Sequence, residues 1–459
     1  MRYIAILKDS LREAWDSWVL LGLLVLSTLV ILGVASLSFK PLTAQRTMHY
    51  FFNNTMFETL NKRKIEKQRF AFREMRQFNL QDVKQVSGDT DSPLGEYALT
   101  VAAHGNDFGP RRFQGNMGHP EPIEAKVDGG KPVFDQKAEI ANLRAVFEDA
   151  VDLGFIKVES IEPLGNEAEK QEMRRYLITV KGTAQTHRIW ATQLGLLFGA
   201  FQLEFISAPL GFMLYKLAEY VIGFGSWVAV LLGIVITSFF IPNMLRKGTI
   251  DMLLVKPISR WLLLFYKYLG GMAFILLSTT YAIGGIWLAL GIRSGLWANG
   301  TLILILTITF FFAILYALST LVSVVTRSVV ASILITVGAW FIFFIIGWAH
   351  LGVEYHDRFQ KEDDKIREAM KQPPRPPEEP WVYWVLGGIK VVHAISPRTE
   401  DLNQLNDLVV YTDFISGNLG DMGKYDTSKR NWWESLLVSG VWIGIYLGLA
   451  MLWFYYKDY

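Results

Sequence analysis

The chain has 459 residues, 51% of them hydrophobic, with 45 basic against 43 acidic side chains and a formal net charge of +2. So apolar a chain is not an ordinary water-soluble protein, and its balanced charge offers no basic surface, so no nucleic-acid partner is expected. Cysteine is absent, which excludes disulfides, zinc thiolate sites and thiol nucleophiles.

Residues 1–16 put Ile4, Leu7, Leu11, Ala14 and Trp15 on one side of a helix and Lys8, Arg12 and Asp16 on the other, the pattern of a cytoplasmic helix lying in the membrane interface. The apolar run 17–39 is longer than the roughly 7–15 residues of a signal-peptide core, and no small-residue cleavage site follows. It reads as a first transmembrane helix. Residues 40–188 carry nearly equal acidic and basic charge and are the size of one domain. Within them 58–78 reads as a solvated helix, 105–120 as a Gly, Pro and Asn-rich loop, and 97–103, 155–161 and 176–182 as strands rich in β-branched and aromatic residues. The expectation is a mixed α/β extracytoplasmic domain between the first and second membrane helices.

The stretch 189–215 is apolar but interrupted by Glu204 and Pro209, and Lys216 and Glu219 follow at once. A span here would bring the next basic loop out on the wrong side of the membrane. Parity therefore makes 189–219 an outer interfacial or re-entrant segment, and 220–243 the second span.

Next comes a short basic segment, 244–260. Thr249 is placed to cap a short helix over 250–255, with Asp251 at its favourable N-terminal end; Pro257 stops that helix, and Ser259 is placed to cap the one that follows. Further spans are expected at 261–292, 301–325, 328–349 and 435–456. Between the last two, the outer segment 350–434 holds a charged helix, 357–372, a proline run, 373–380, and the apolar stretch 381–395. That stretch is too short, and with Lys390 too charged, to cross, so it reads as a re-entrant hairpin. Arg2, Lys8, Arg12, Arg246, Lys247, Lys256, Arg260, Arg327 and Lys457 collect on one face, and the short loop of the other face has only Arg293. Six spans with both ends in the cytoplasm follow.

The run Arg246-x-Gly248-Thr249, the pair Leu253-Leu254, the run Lys256-Pro257-x-Ser259-Arg260 and the Lys267-x-x-Gly270 beyond it resemble the cytoplasmic coupling segment of ABC-2 type permeases, the membrane subunits of ABC transporters. Leu245 stands where many members carry an acidic residue. The sequence around Arg327 also resembles this family, less specifically. The resemblance covers roughly half the chain. It implies an α-helical polytopic protein of ABC-2 (type V exporter-like) fold with six transmembrane helices. It further implies a separate ABC ATPase subunit that binds the ATP, a second permease copy in a homo- or heterodimer, and export across the cytoplasmic (inner) membrane of a bacterium. The ATPase would dock on Arg246, Lys247, Gly248, Thr249, Ile250, Asp251, Leu253, Leu254, Lys256, Pro257, Ser259 and Arg260. Small residues such as Gly223, Gly225, Ser226, Gly440 and Gly444 would let spans of two chains approach closely.

No GxxxxGK[ST] occurs, so this chain is not expected to hydrolyse ATP or to hold a cofactor. His350, Glu354 and His356 are the closest grouping of metal-ligand types, but only His350 and Glu354 share helical i,i+4 spacing, and no metal site is expected. The scattered Ser, His and Asp residues of 40–188 lack a hydrolase signature. The alternative to a permease is a membrane-anchored extracytoplasmic binding or assembly protein without transport activity. A mere anchor needs basic residues at 244–260, but not Gly-Thr and Lys-Pro-x-Ser-Arg bracketing a short helix.

Overall fold

The computed structural model describes residues 18–53, 78–89, 91–104, 127–128, 131–132, 140, 143–144, 156–164, 173–245, 259–369, 373–375, 379–416 and 431–457. In order the chain forms α1 (Trp18–Ala35), β1 (Ser38–Pro41), α2 (Ala44–Asn53), β2 (Phe78–Ser87), β3 (Glu96–His104), β4 (Ile156–Leu164), β5 (Met173–Gly182), β6 (Ala191–Leu196), β7 (Phe201–Pro209), α3 (Leu210–Met244), α4 (Arg260–Ser294), α5 (Ile303–Thr326), α6 (Val329–Ala369), α7 (Pro380–Ile395), α8 (Thr399–Tyr411) and α9 (Trp432–Tyr456). The expected interfacial helix at 1–16, the loop at 105–120 and most of the helix at 58–78 lie outside the described residues.

Among the described residues five helices, α3, α4, α5, α6 and α9, are long and apolar enough to cross a membrane by length and composition, and α1 is a shorter apolar helix. Their outward faces expose large apolar side chains, among them Leu29, Leu277, Leu306, Leu334, Phe341 and Leu437. Water would not tolerate so continuous an apolar surface, whereas lipid chains are as apolar as leucine. α5 is the axis of the bundle and packs against α3, α4, α6 and α9. Its residues Phe312, Ile314, Leu315, Tyr316 and Ala317 are fully buried.

Several boundaries differ from the sequence reading. Among the described residues the first span is helical over Trp18–Ala35 and stops short of 39, because Ser38–Pro41 leaves the helix to pair with β6. Residues 191–209, expected as an interfacial or re-entrant stretch, are the β6–β7 hairpin, and α3 starts at Leu210 rather than at 220. Pro209 does not interrupt a helix; it sits at the N-cap of one, where its missing N–H costs nothing. Lys216 and Glu219 do not end the helix either. They pair with each other at 2.5 Å, and the chain passes through a π-helical segment, Glu219–Phe224, without leaving the helix. The turn at 238–239 precedes Pro242, which cannot donate to the carbonyl one turn back. The charged stretch 357–372 is not a separate helix: the expected span 328–349 continues through it to Ala369, since no proline interrupts 349–357.

Two larger antiparallel sheets lie between α1 and α3 in sequence, beside a short pairing of Val127–Asp128 with Lys131–Pro132. One has the order β2-β3-β5-β4, the other β1-β6-β7. In the first, Tyr97, Leu99 and Val101 oppose Val180, Ile178 and Tyr176, so one face of both strands is apolar and buried. Met48 of α2, Leu143 and Trp190 cover that face. Trp190 also ties this core to the second sheet, its ring 5.9 Å from Tyr97 and its Nε1 donating to the Leu42 carbonyl at 2.9 Å. β1 follows α1 and β7 runs straight into α3, so the second sheet links α1 to α3 where the chain leaves and rejoins the helical bundle.

Candidate functional site

The basic segment predicted to couple the chain to a partner lies mostly outside the described residues: Arg246, Lys247, Gly248, Thr249, Ile250, Asp251, Leu253, Leu254, Lys256 and Pro257 are not placed. Its two ends are. Ile241, Met244 and Leu245 at the end of α3 and Leu263 and Leu264 at the start of α4 form one buried cluster with Val324 of α5 and Ala450 and Phe454 of α9. Leu245 occupies an apolar niche in that cluster, which accounts for the absence of an acidic side chain there. Ser259 stands at the N-cap of α4 with extended backbone, and its carbonyl accepts from Leu263 N at 3.1 Å, but its hydroxyl makes no capping bond. The predicted side-chain cap is therefore absent at this residue. Arg260 Nη1 donates to the Lys457 carbonyl at 3.2 Å, tying the start of α4 to the end of α9.

The same end of the bundle holds the α5–α6 turn. Arg327 adopts a left-handed conformation there, φ 55°, and its N–H donates to Ser323 O at 2.9 Å, closing α5 without a glycine. Just inside this end, four buried serines on three helices bond in sequence: Ser238 to Ser319 at 3.1 Å, Ser319 to Ser332 at 2.8 Å, and Ser323 to Ser332 at 2.9 Å. Such hydroxyl contacts hold helices together where lipid supplies no hydrophobic drive. At the opposite end Arg293 Nε donates to Leu37 O at 2.6 Å, fastening α4 to the exit of α1.

That opposite end also carries a polar joint. The Asp413 carboxylate accepts from Thr301 N at 2.6 Å and Thr301 Oγ1 at 3.1 Å, acting as an acidic cap on the turn that opens α5. The Arg188 guanidinium donates to the Asp413 carbonyl. Burial lowers the Arg188 pKa and raises that of Asp413, and each shift is opposed by the charge of the other group. Tyr215 donates to Asp407 at 3.0 Å and Thr307 to Asn406 at 2.7 Å, so α8 is bonded to α3 and α5.

A cavity of about 250 Å³ lies among α1, α3, α4 and α5, walled by Leu23, Val30, Ile222, Ile283 and Phe312 with a few hydroxyls such as Ser278. Separately, of the grouping of His350, Glu354 and His356, the i,i+4 pair forms, with His350 Nδ1 3.9 Å from Glu354 Oε1, while His356 Nε2 faces Gln360 at 3.4 Å and the His350 ring stacks on His393. His350, His393 and Asp401 bring one ligand-type atom each to within 4.8 Å of one another. No spacing rule connects residues on α6, α7 and α8, so sequence reasoning missed this cluster.

Comparison with known families gives one result: a family model described as ABC-2 family transporter protein matches residues 4–459. No curated protein matches the sequence.

Proposed function

We propose, from the premise that the chain belongs to the ABC-2 family of transporter proteins, that it is the permease subunit of a transporter whose energy comes from a separate ABC ATPase. Two copies carry a substrate outward across the cytoplasmic membrane of a bacterium. The observation that carries this reading is the anchoring of 246–258. Both ends of the segment enter one buried cluster shared by α3, α4, α5 and α9, so a push on the segment reaches four helices at once. Within the segment, Ile250, Leu253 and Leu254 supply the contact with the ATPase, each contributing about 1.5–3 kcal/mol if fully covered. Arg246, Lys247 and Arg260 set orientation and encounter rate more than affinity.

Pairing of two chains is supported by glycines of α3 and α9 that, among the described residues, have no other element packed against them. A Cβ added at Gly223, Gly440 or Gly444 would meet no atom within 4 Å beyond its own turn of helix, whereas Gly225 lines the cavity among α1, α3, α4 and α5. The first three positions leave open faces on α3 and α9 for a neighbouring helix. The α7–α8 pair, with its Ser396–Arg398 turn, is the re-entrant element of the pathway in this reading; Lys390 of α7 pairs with Asp357 of α6 at 2.8 Å, so α7 runs back along the helix that precedes it. ATP is bound by the partner and not by this chain, which lacks a phosphate-wrapping loop.

The test is the double variant Leu253→Asp/Leu254→Asp, assayed for ATPase capture on the purified chain and for membrane insertion. Loss of capture with insertion intact is the expected result. Undiminished capture and transport would sink the assignment.

A further inference from the structure

We propose that His350, His393 and Asp401, with Glu354 beside them, form a divalent-cation site suited to zinc that ties α7 and α8 to α6. This does not depend on the transport reading. The three residues sit where three helices meet. His393 Nε2 lies 3.3 Å from Asp401 Oδ1, and His350 Nδ1 lies 3.9 Å from Glu354 Oε1. Zinc holds nitrogen and carboxylate oxygen ligands at about 2.0–2.2 Å, so neighbouring ligand atoms stand roughly 3.5 Å apart. The first pair already has that spacing. The three ligand-type atoms lie within 4.8 Å of one another, so reaching that spacing throughout requires a small turn of one ring.

The required movement is defined by the rings. His350 and His393 are stacked, centroids 3.6 Å apart and planes within 7°, so their nitrogen lone pairs run parallel instead of converging. Rotating the His350 ring out of the stack aims a nitrogen at the point His393 and Asp401 share. The ring can turn because it is the least enclosed of the three, with 18% of its side chain exposed against 5% and 6% for His393 and Asp401. The same opening gives an ion its way in.

Charge favours a cation over a bare imidazole pair. Glu354, Asp357, Glu400, Asp401 and Glu434 surround this junction, with Lys390 and Arg398 as their cations. Arg398 reaches Asp401 through Oδ2 at 3.4 Å and Glu434 at 2.8 Å, which leaves Oδ1 directed at the histidines. The guanidinium therefore orients the carboxylate without blocking it, as partners of metal ligands do. Imidazole with carboxylate is a zinc donor set, and magnesium or calcium would call for oxygen ligands alone.

Equilibrium dialysis of the full chain in detergent against micromolar ZnCl2, read by elemental analysis, tests this directly. One zinc per chain is expected, with affinity reduced more than about tenfold in His393→Ala and in His350→Ala, and unchanged in His356→Ala. Cobalt bound in place of zinc to the unmodified chain should give the visible absorption of a low-coordinate nitrogen and oxygen site, a reading that needs no variant. Absence of retained zinc and of that absorption, or equal loss in His356→Ala, would overturn the proposal.

Discussion

Gly271 is the position at which the rigidity of the bundle is most simply challenged. A Cβ at this residue of α4 would stand 2.5 Å from the Tyr316 ring of α5, a separation that forces one of the two to move. Tyr316 cannot retreat. It is fully buried, stacked on Tyr268 at 5.1 Å and on Phe312 at 5.4 Å, and the Tyr268 hydroxyl is itself bonded to the Ala313 carbonyl at 2.9 Å. Overpacking of this kind costs about 1–3 kcal/mol. Gly271→Ala should therefore lower the melting temperature measured by tryptophan fluorescence in detergent. Tyr316→Leu alone should also destabilise, through lost stacking, while Gly271→Ala/Tyr316→Leu should lose less than the two single changes together, because the smaller side chain vacates the space the new methyl needs. Melting of Gly271→Ala at the temperature of the unmodified chain, or strict additivity in the double variant, would show that α4 and α5 are not locked at this contact.

Other consequences are independent of that contact. Asp413→Ala removes the cap on the turn that opens α5 and should cost about 1–2 kcal/mol, seen as a lower melting temperature, with no change if the Thr301 contacts carry no weight. Because the chain has no cysteine, single cysteines report sidedness without background: one at Leu94, which is exposed, should react with an impermeant maleimide from outside intact cells, and one at Arg327 only after lysis. The reverse pattern would invert the proposed topology. Gly444→Trp should fill the open face of α9 and convert the proposed dimer to monomer on size exclusion, whereas a dimer of undiminished stability would place the interface elsewhere.

The long apolar runs are legible as helices because a bilayer demands length and apolarity together, and α4, α5 and α9 supply both without interruption. Where a polar residue suggests a boundary, local contacts decide otherwise. Lys216 and Glu219 pair with each other inside α3, and the charged continuation of α6 finds partners along its own face and on α7, as in Arg367 with Asp363 and Lys390 with Asp357. The β6–β7 hairpin is hidden because its apolar composition continues into α3, which masks the alternation of Phe201, Leu203 and Phe205 with Gln202 and Glu204; what fixes it is pairing with β1, far earlier in the chain. β2 is hidden because it is an edge strand, and among its described side chains Leu80 is the one deeply buried. Turn chemistry and basic residues single out 244–260 in the sequence because those are local signals, while of that segment only the ends lie among the described residues. The joint of Arg188, Asp413 and Thr301 and the cluster of His350, His393 and Asp401 arise from tertiary approach, and no local signal announces them.

A chain that works as one half of a permease must be found with both its second copy and a separate ATPase. Native mass spectrometry of the tagged chain, purified under mild detergent from cells that express it with its candidate ATPase, measures this most directly. The expected species is a complex of two permease copies and two ATPase copies that falls apart into free permease when Leu253→Asp/Leu254→Asp is introduced. A single permease chain that never carries an ATPase, in the unmodified protein as in the variant, would contradict the permease reading.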